Sequence, residues 1–275
     1  MGTSRPLRTA TSTTLAGLLL TLALAGPATA SPVPDPAGAT TSPSPATASP
    51  IPATAPCTTG TGPYQRELER HLRLGVDGRQ SAADCEAIRA FQSRNGVRPA
   101  DGYAGLATYR TMLVVEARPD PNAAGRCPVR DHRVACVDLD RQLMWVQSGR
   151  RVVFAPVPIR SGRDGYETRT GWHTVYWREI DHYSDLYDAP MPYAQFFDEG
   201  QAFHGSNGDL YSGGSHGCVN LRLDDARRLW DTLAEDDSVF VWGVKPGTER
   251  TLGRVTAPTA PSPAAHTPPP TPGAR

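Results

Sequence analysis

Apolar positions recur every three to four residues in the first part of the chain and every two in the second. Between 64 and 74 they fall at Tyr64, Leu68 and Leu72, one face of a helix. Ser81-Ala82-Ala83-Asp84 reads as the cap of a second helix, with Cys85, Ile88 and Phe91 inward and Asn95-Gly96 as its stop. A turn at Pro99-Ala100-Asp101-Gly102 leads into a third helix over 104–116, carrying Tyr109, Met112 and Leu113. Val76-Asp77-Gly78 and Pro99-Ala100-Asp101-Gly102 each punctuate a helix pair, a weak internal echo. Three short helices enclose only a thin core.

Past Arg118-Pro119-Asp120-Pro121 the alternation predicts strands over 134–139, 142–147 and 151–159, with turns at Asp140-Arg141 and Ser148-Gly149-Arg150. Residues 170–177 set Trp172, Thr174 and Tyr176 against Gly171, His173, Val175 and Trp177. Two shorter strands are expected at 202–204 and 239–242. Between them 224–233, with Asp224 as cap and Leu229, Trp230 and Leu233 on one side, reads as a helix. The fold class expected is α+β and multidomain: a small three-helix module, then a β-rich sandwich or barrel with one packed helix.

Composition narrows the function. The 275 residues carry 28 basic and 28 acidic side chains, so the net charge is zero. With no Lys/Arg-rich run, that balance argues against a nucleic-acid binder. The single lysine, Lys245, leaves little room for a lysine nucleophile. Of 27 prolines, eight fall in 31–56 and seven in 256–275, in low-complexity stretches unable to bury a core. At the N-terminus Arg5 and Arg8, an apolar run over 15–24 and Ala28-Thr29-Ala30 form a secretory signal pattern. The run is too short to span a bilayer comfortably, so no stable membrane span is expected after cleavage. The plan is then a signal peptide (1–30), a Pro/Ala/Thr/Ser linker (31–56), the helical domain (57–116), a linker (117–126), the β-rich domain (127–244) and a Pro-rich tail (245–275). The mature chain is expected outside the cytoplasm and is taken as a monomer.

Export bears on the five cysteines. An oxidising compartment pairs four and leaves one thiol free. Cys57/Cys85 and Cys127/Cys136 each lie within one segment, and local pairing is the economical choice among three connectivities. That leaves Cys218. Two histidines accompany it, in His204-Gly205-Ser206 and in Ser215-His216-Gly217-Cys218-Val219-Asn220. An unperturbed thiol is only slightly ionised at neutral pH, so a neighbouring imidazole that takes its proton makes it a nucleophile. Gly217 permits a tight turn whose backbone N–H groups could converge on an oxyanion. Read blandly, Cys218 is an inert buried thiol, His204 a core histidine and His216 a turn cap. Zinc is disfavoured, because there is no second free cysteine and no Cys-x-x-Cys or His-x-x-x-His spacing. Gly-x-Ser-x-Gly is also absent around Ser215.

This constellation resembles the L,D-transpeptidase (YkuD) catalytic domain. The residues that carry the likeness are His204-Gly205, 215–220, and Thr168-Arg169-Thr170-Gly171-Trp172, where Arg169 stands in place of the family's proline. Gln65, Leu68, Leu72, Val76-Asp77-Gly78, Ala90-Phe91-Gln92, Asn95-Gly96-Val97, 101–105 and Thr108-Tyr109 resemble a peptidoglycan-binding helical module. The resemblance implies Cys218 as nucleophile, His204 as proton acceptor and donor oriented by the Gly205 carbonyl, and His216 as assistant. Gly217 and Cys218 amides would shape the oxyanion hole beside Ser215, and Asn220, Tyr193 and Gly200 would lie near the acyl donor. It implies no cofactor and no metal. The partners implied are peptidoglycan stem peptides: a tetrapeptide donor that loses D-alanine, and a diaminopimelate-type amine acceptor giving a 3→3 cross-link. The rival readings are an L,D-carboxypeptidase or endopeptidase using water, and a non-catalytic wall-binding protein.

Overall fold

The computed structural model describes residues 56–248. The expected signal peptide, nearly all of the first linker and most of the tail lie outside the described residues. Helix α1 (Gln65–Leu72) is followed by α2 (Ala82–Arg94) and α3 (Leu106–Ala117). Ser81 and Asp84 form the reciprocal capping box at the start of α2, an arrangement that stabilises a helix by about 1 kcal/mol. Leu68, Ile88, Phe91, Ala104 and Met112 make the helical core, and a Cys57–Cys85 disulfide ties its leading strand of chain to α2.

Among the described residues nine strands follow in two sheets. The first has the order β3-β2-β1-β9-β4, from β1 (Arg133–Asp138), β2 (Leu143–Ser148), β3 (Arg151–Pro158), β4 (Gly171–Thr174) and β9 (Ser238–Trp242). The second has the order β5-β6-β7-β8, from β5 (Trp177–Ser184), β6 (Ala189–Asp198), β7 (Gln201–Gly205) and β8 (Val219–Leu221). Helix α4 (Leu223–Thr232) lies between β8 and β9 in the chain. The main core sits between the sheets. Ala135 and Val137 of β1, Phe203 of β7, Val219 and Leu221 of β8, and Ala226 and Leu229 of α4 all belong to it.

The alternate residues of β1 are also buried. Val134 and Cys136 join Leu143, Trp145, Trp242 and Cys127 on the far face of the first sheet, where Val114 and Ala117 of α3 cover them. A second disulfide, Cys127–Cys136, lies in this layer. The three helices are therefore packed onto the sheet through α3. The expected linker at 117–126 is also held: Asn122 brackets Cys127 with two hydrogen bonds, and Arg141 donates to the Pro121 carbonyl at 2.9 Å.

Three expectations need correction. Trp177 does not extend β4: it opens β5, whose ten-residue partner β6 was not anticipated at all. The two pair antiparallel from Trp177↔Phe196 to Ser184↔Ala189. Asp224 does not cap α4, since the N-cap is Arg222 and Asp224 and Asp225 fall in the first turn, where their charge complements the helix dipole. Nor does the tail begin at Lys245. That residue is buried, and its ammonium donates to the carbonyls of Ser161 and Gly213. Among the described residues no helix is long and apolar enough to cross a membrane.

Candidate active site

Strands β7 and β8 run parallel with Phe203 opposite Val219 and His204 opposite Asn220. Side chains alternate across a strand. Phe203, Val219 and Leu221 point into the main core, so their neighbours must point the other way. On that outer face Cys218 packs against Met191, Ala194, Phe196 and Ala202, with Trp177 beside them. Cys218 is the one free cysteine among the described residues, and it is half-buried. Its thiol faces the Gly200 carbonyl, 3.7 Å away. Burial pushes its pKa up to about 11, against a backbone hydrogen bond from Ala202 that pulls it down. The resting group is a thiol.

His204 is clamped at both nitrogens. Nδ1 lies 2.9 Å from the Gly205 carbonyl, which only accepts, so Nδ1 carries the proton. Nε2 lies 2.7 Å from Asn220 Nδ2. Burial takes the ring's pKa down to about 4; the Gly205 carbonyl opposes this, while Arg160 and His182 add to it. His204 is thus a neutral imidazole with its basic nitrogen at Nε2. Asn220 is itself buried, its Oδ1 taking two N–H bonds from Arg160, from Nε at 3.0 Å and Nη2 at 2.9 Å. It does not present an open amide to a substrate; its side chain connects Arg160 to His204.

The turn carrying the thiol is built from the residues before it. Ser215 Oγ donates to the Cys218 carbonyl at 2.6 Å and accepts the Gly217 N–H at 3.1 Å. The Gly217 N–H, expected at the oxyanion hole, is thus engaged within the turn by Ser215 Oγ. Thr168 Oγ1 donates to the Gly217 carbonyl at 2.8 Å. Gly217 itself has φ +115, and an added Cβ would run into the Gln201 side-chain amide, so only glycine fits. Gln201 in turn donates to the Glu167 carbonyl and accepts the Arg169 N–H at 3.0 Å. That last bond explains the departure at 169: a proline there has no N–H to give.

His216 lies on the other side of the turn. Tyr187, from the β5–β6 connection, stacks on its ring with centroids 4.1 Å apart, and Tyr166 meets it edge-on at 5.0 Å. Arg163 Nη2 reaches its Nε2 at 2.6 Å. Partial burial, then the Arg163 charge, lower its pKa. Of the remaining expected residues, Gly205 and Gly200 contribute carbonyls to His204 and Cys218. Tyr193 is different: it packs on the main core and against Trp230, rather than with the residues around the thiol. Arg160, Arg163, Gln201 and Tyr187 were not anticipated, since each reaches the site from a distant loop or strand and carries no local signature. Among the described residues no group of three or more His, Cys, Asp or Glu side chains gathers as a metal site.

A half-buried thiol at the end of one strand and a neutral imidazole on the strand paired with it, with a glycine-dependent turn carrying the thiol, make an arrangement suited to acyl transfer through sulfur. The family model of the L,D-transpeptidase catalytic domain, YkuD, matches residues 132–241. Among solved structures, an L,D-transpeptidase (Yku) from Stackebrandtia nassauensis is 35% identical, covering 70% of this chain and 96% of its own, with a TM-score of 0.55. An L,D-transpeptidase from Xylanimonas cellulosilytica is 25% identical over 70% of this chain and 100% of its own, at a TM-score of 0.39. One from Mycobacterium smegmatis is 21% identical and is spanned over 59% of its length, at a TM-score of 0.38. No curated protein matches the chain. The chain belongs to the L,D-transpeptidase family.

Proposed function

We propose that the chain is an exported peptidoglycan L,D-transpeptidase that forms 3→3 cross-links through a Cys218 thioester, with the helical segment holding it to the wall. The observation that carries the reading is a free thiol immediately before β8 together with a neutral His204 on the adjacent strand β7, fixed by the Gly205 carbonyl. In acylation, His204 Nε2 takes the thiol proton as sulfur bonds to the L-centre carbonyl of a donor tetrapeptide. The tetrahedral intermediate then breaks its C–N bond, and the proton on Nε2 passes to the departing D-alanine amine. An acceptor amine attacks the thioester and gives a proton to His204 Nε2; the C–S bond breaks, and that proton passes to sulfur. With thiol and imidazole neutral at rest, proton transfer accompanies attack rather than preceding it.

Hydrolysis by water is the second reading, and it calls for a group that activates water. Of the acids nearest in sequence, Asp225 is paired with Arg228 at 2.5 Å, Asp209 accepts the Tyr211 N–H at 2.8 Å, and Asp224 lies exposed in the first turn of α4. Those commitments favour an amine acceptor. The test is mass spectrometry of the protein incubated with a disaccharide-tetrapeptide, with and without a second stem. An adduct equal to the donor minus its terminal alanine, and a 3→3 dimer when acceptor is present, are expected. Tripeptide alone at every acceptor concentration would make the protein a carboxypeptidase. The absence of both adduct and product would leave a wall-binding protein. Wall retention is checked in the full chain by pelleting with purified sacculi: Val76→Asp with Tyr103→Ala, both exposed on the helical segment, should reduce the bound fraction while leaving activity on soluble fragments unchanged.

A further inference from the structure

The four residues Arg160-Ser161-Gly162-Arg163 run alongside the turn that carries Cys218. The Arg160 N–H donates to the Asn220 carbonyl at 3.0 Å and the Asn220 N–H returns to the Arg160 carbonyl at 2.9 Å. At the other end the Ser215 N–H donates to the Ser161 carbonyl at 3.1 Å and the Arg163 N–H to the Ser215 carbonyl at 3.0 Å. This backbone pairing sets the two arginines at opposite ends of one short segment. Each guanidinium then arrives at a different histidine, Arg160 through Asn220 and Arg163 directly.

We infer that Arg160 and Arg163 are a pair of positioning residues that hold His204 and His216 as neutral Nδ1–H tautomers. Donor and acceptor identities fix the two tautomers. A guanidinium has donors only, so His216 Nε2, 2.6 Å from Arg163 Nη2, is an acceptor and the ring proton sits on Nδ1. At His204 the same result needs Asn220 in one orientation. With Arg160 on Oδ1, the amide must turn Nδ2 toward His204 Nε2. A flipped amide would put an acceptor against Nε2 while Nδ1 already donates to Gly205. The ring would then satisfy both contacts only as an imidazolium, which is no base. Arg160 thereby keeps His204 able to take a proton, and Asn220 must release Nε2 when the thiol delivers one.

Other groups face these rings. His182 of β5 adds its charge to that of Arg160 at His204, and the Gly205 carbonyl opposes them. Tyr187 and Tyr166 cover His216. None of these fixes the orientation of Asn220, and the two tyrosines touch His216 through ring faces and edges, so the tautomers are assigned to the arginines. The inference rests on the proposed roles of the two histidines, but its decisive readout, the state of the rings, needs no substrate.

The experiment is long-range 1H–15N NMR of the imidazoles in the full chain between pH 4 and 8. In the unaltered protein both rings should report Nδ1–H at pH 7, with His204 titrating near 4. Arg160→Met should let Asn220 flip and raise the His204 midpoint by about one unit or more. Asn220→Asp keeps a partner for Arg160, so the fold is retained, but it places a carboxylate on Nε2; His204 should then titrate above its ordinary value near 6.5. Arg163→Met should bring Nε2–H signal to His216, whereas Arg163→Lys, retaining a donor, should not. Acylation by Arg160→Met should fall about 10–100-fold, up to the lower part of the ~10²–10⁴ range for a positioned base. Unchanged tautomers and midpoints in folded Arg160→Met and Asn220→Asp would overturn the inference. Shifted tautomers in a chain that forms no adduct would support it and count against the proposed reaction instead.

Discussion

The two faces of the β7–β8 pair are one residue apart in sequence and differ in everything else. Phe203, Val219 and Leu221 face the main core, fully buried among side chains that only need the right volume. Ala202, His204, Cys218 and Asn220 face outward, where each polar atom has a named partner. The inner face holds the strands in register. The outer face uses that register to set a thiol just before β8 and an imidazole on β7 on the same side of the pair. Stability and chemistry are thus separable by parity of position, and substitutions can test the separation.

The largest effect should come from Cys218→Ser. It replaces the sulfur nucleophile with a poorer one of similar shape, and transfer should fall by at least about 10³-fold. Melting temperature should stay within about 2 °C, since the side chain is only at the edge of its cluster. Phe203→Ala is the mirror experiment. Truncating a fully buried aromatic costs about 3–5 kcal/mol, so denaturant unfolding should shift strongly while the folded fraction still forms the Cys218 adduct. A Cys218→Ser variant that unfolds, or a stable but inactive Phe203→Ala, would break the distinction between the faces.

His204→Ala comes next and should slow acylation by about 10²-fold, the loss of a positioned base. His216→Ala should cost about tenfold, because its ring touches Tyr187, Tyr166 and Arg163 and shapes the turn from outside. Burst kinetics with a thioester-forming donor would separate the two. Near-normal acylation in His204→Ala with a dead His216→Ala would exchange their roles.

How much of this could be read from residues alone follows from where the apolar pattern is enforced. The strands β1, β2, β3 and β9 each carry buried positions and were legible within a residue or two of their observed ends, the first three from their alternation. Helix α2 was legible from its capping box. The β5–β6 hairpin was not, because much of it faces solvent and its side chains show no alternation: Ile180, Tyr183 and Tyr187 are exposed beside Asp181 and Asp185. Pro190 and Pro192 also argue against a strand. They are tolerated because β7 pairs only with the Gln195–Asp198 end of β6, leaving the proline-bearing end flanked by β5 alone. Within the site, the thiol and both histidines were visible as local motifs. Arg160 and Arg163 were not, since their partners lie about 50–60 residues away and only tertiary pairing brings them near.

The smallest effect expected is on the outer face's own contribution to stability, and it depends on pH. His204 has a folded pKa near 4, below the 6.5 of an unconstrained imidazole. Between those values the unfolded chain binds a proton at this position that the folded chain does not, so acid favours unfolding. Stability linked to His204 is therefore complete above about pH 6.5 and is lost progressively as pH falls toward 4. Denaturant unfolding at pH 7.5 and 5, compared between the unaltered chain and His204→Gln, should show a steeper loss for the unaltered chain. Phe203→Leu, on the inner face, should lower stability by the same amount at both values. A His204→Gln chain as acid-sensitive as its parent would mean that the imidazole is not held neutral by its surroundings, and that the outer face is more open to water than its hydrogen bonds imply.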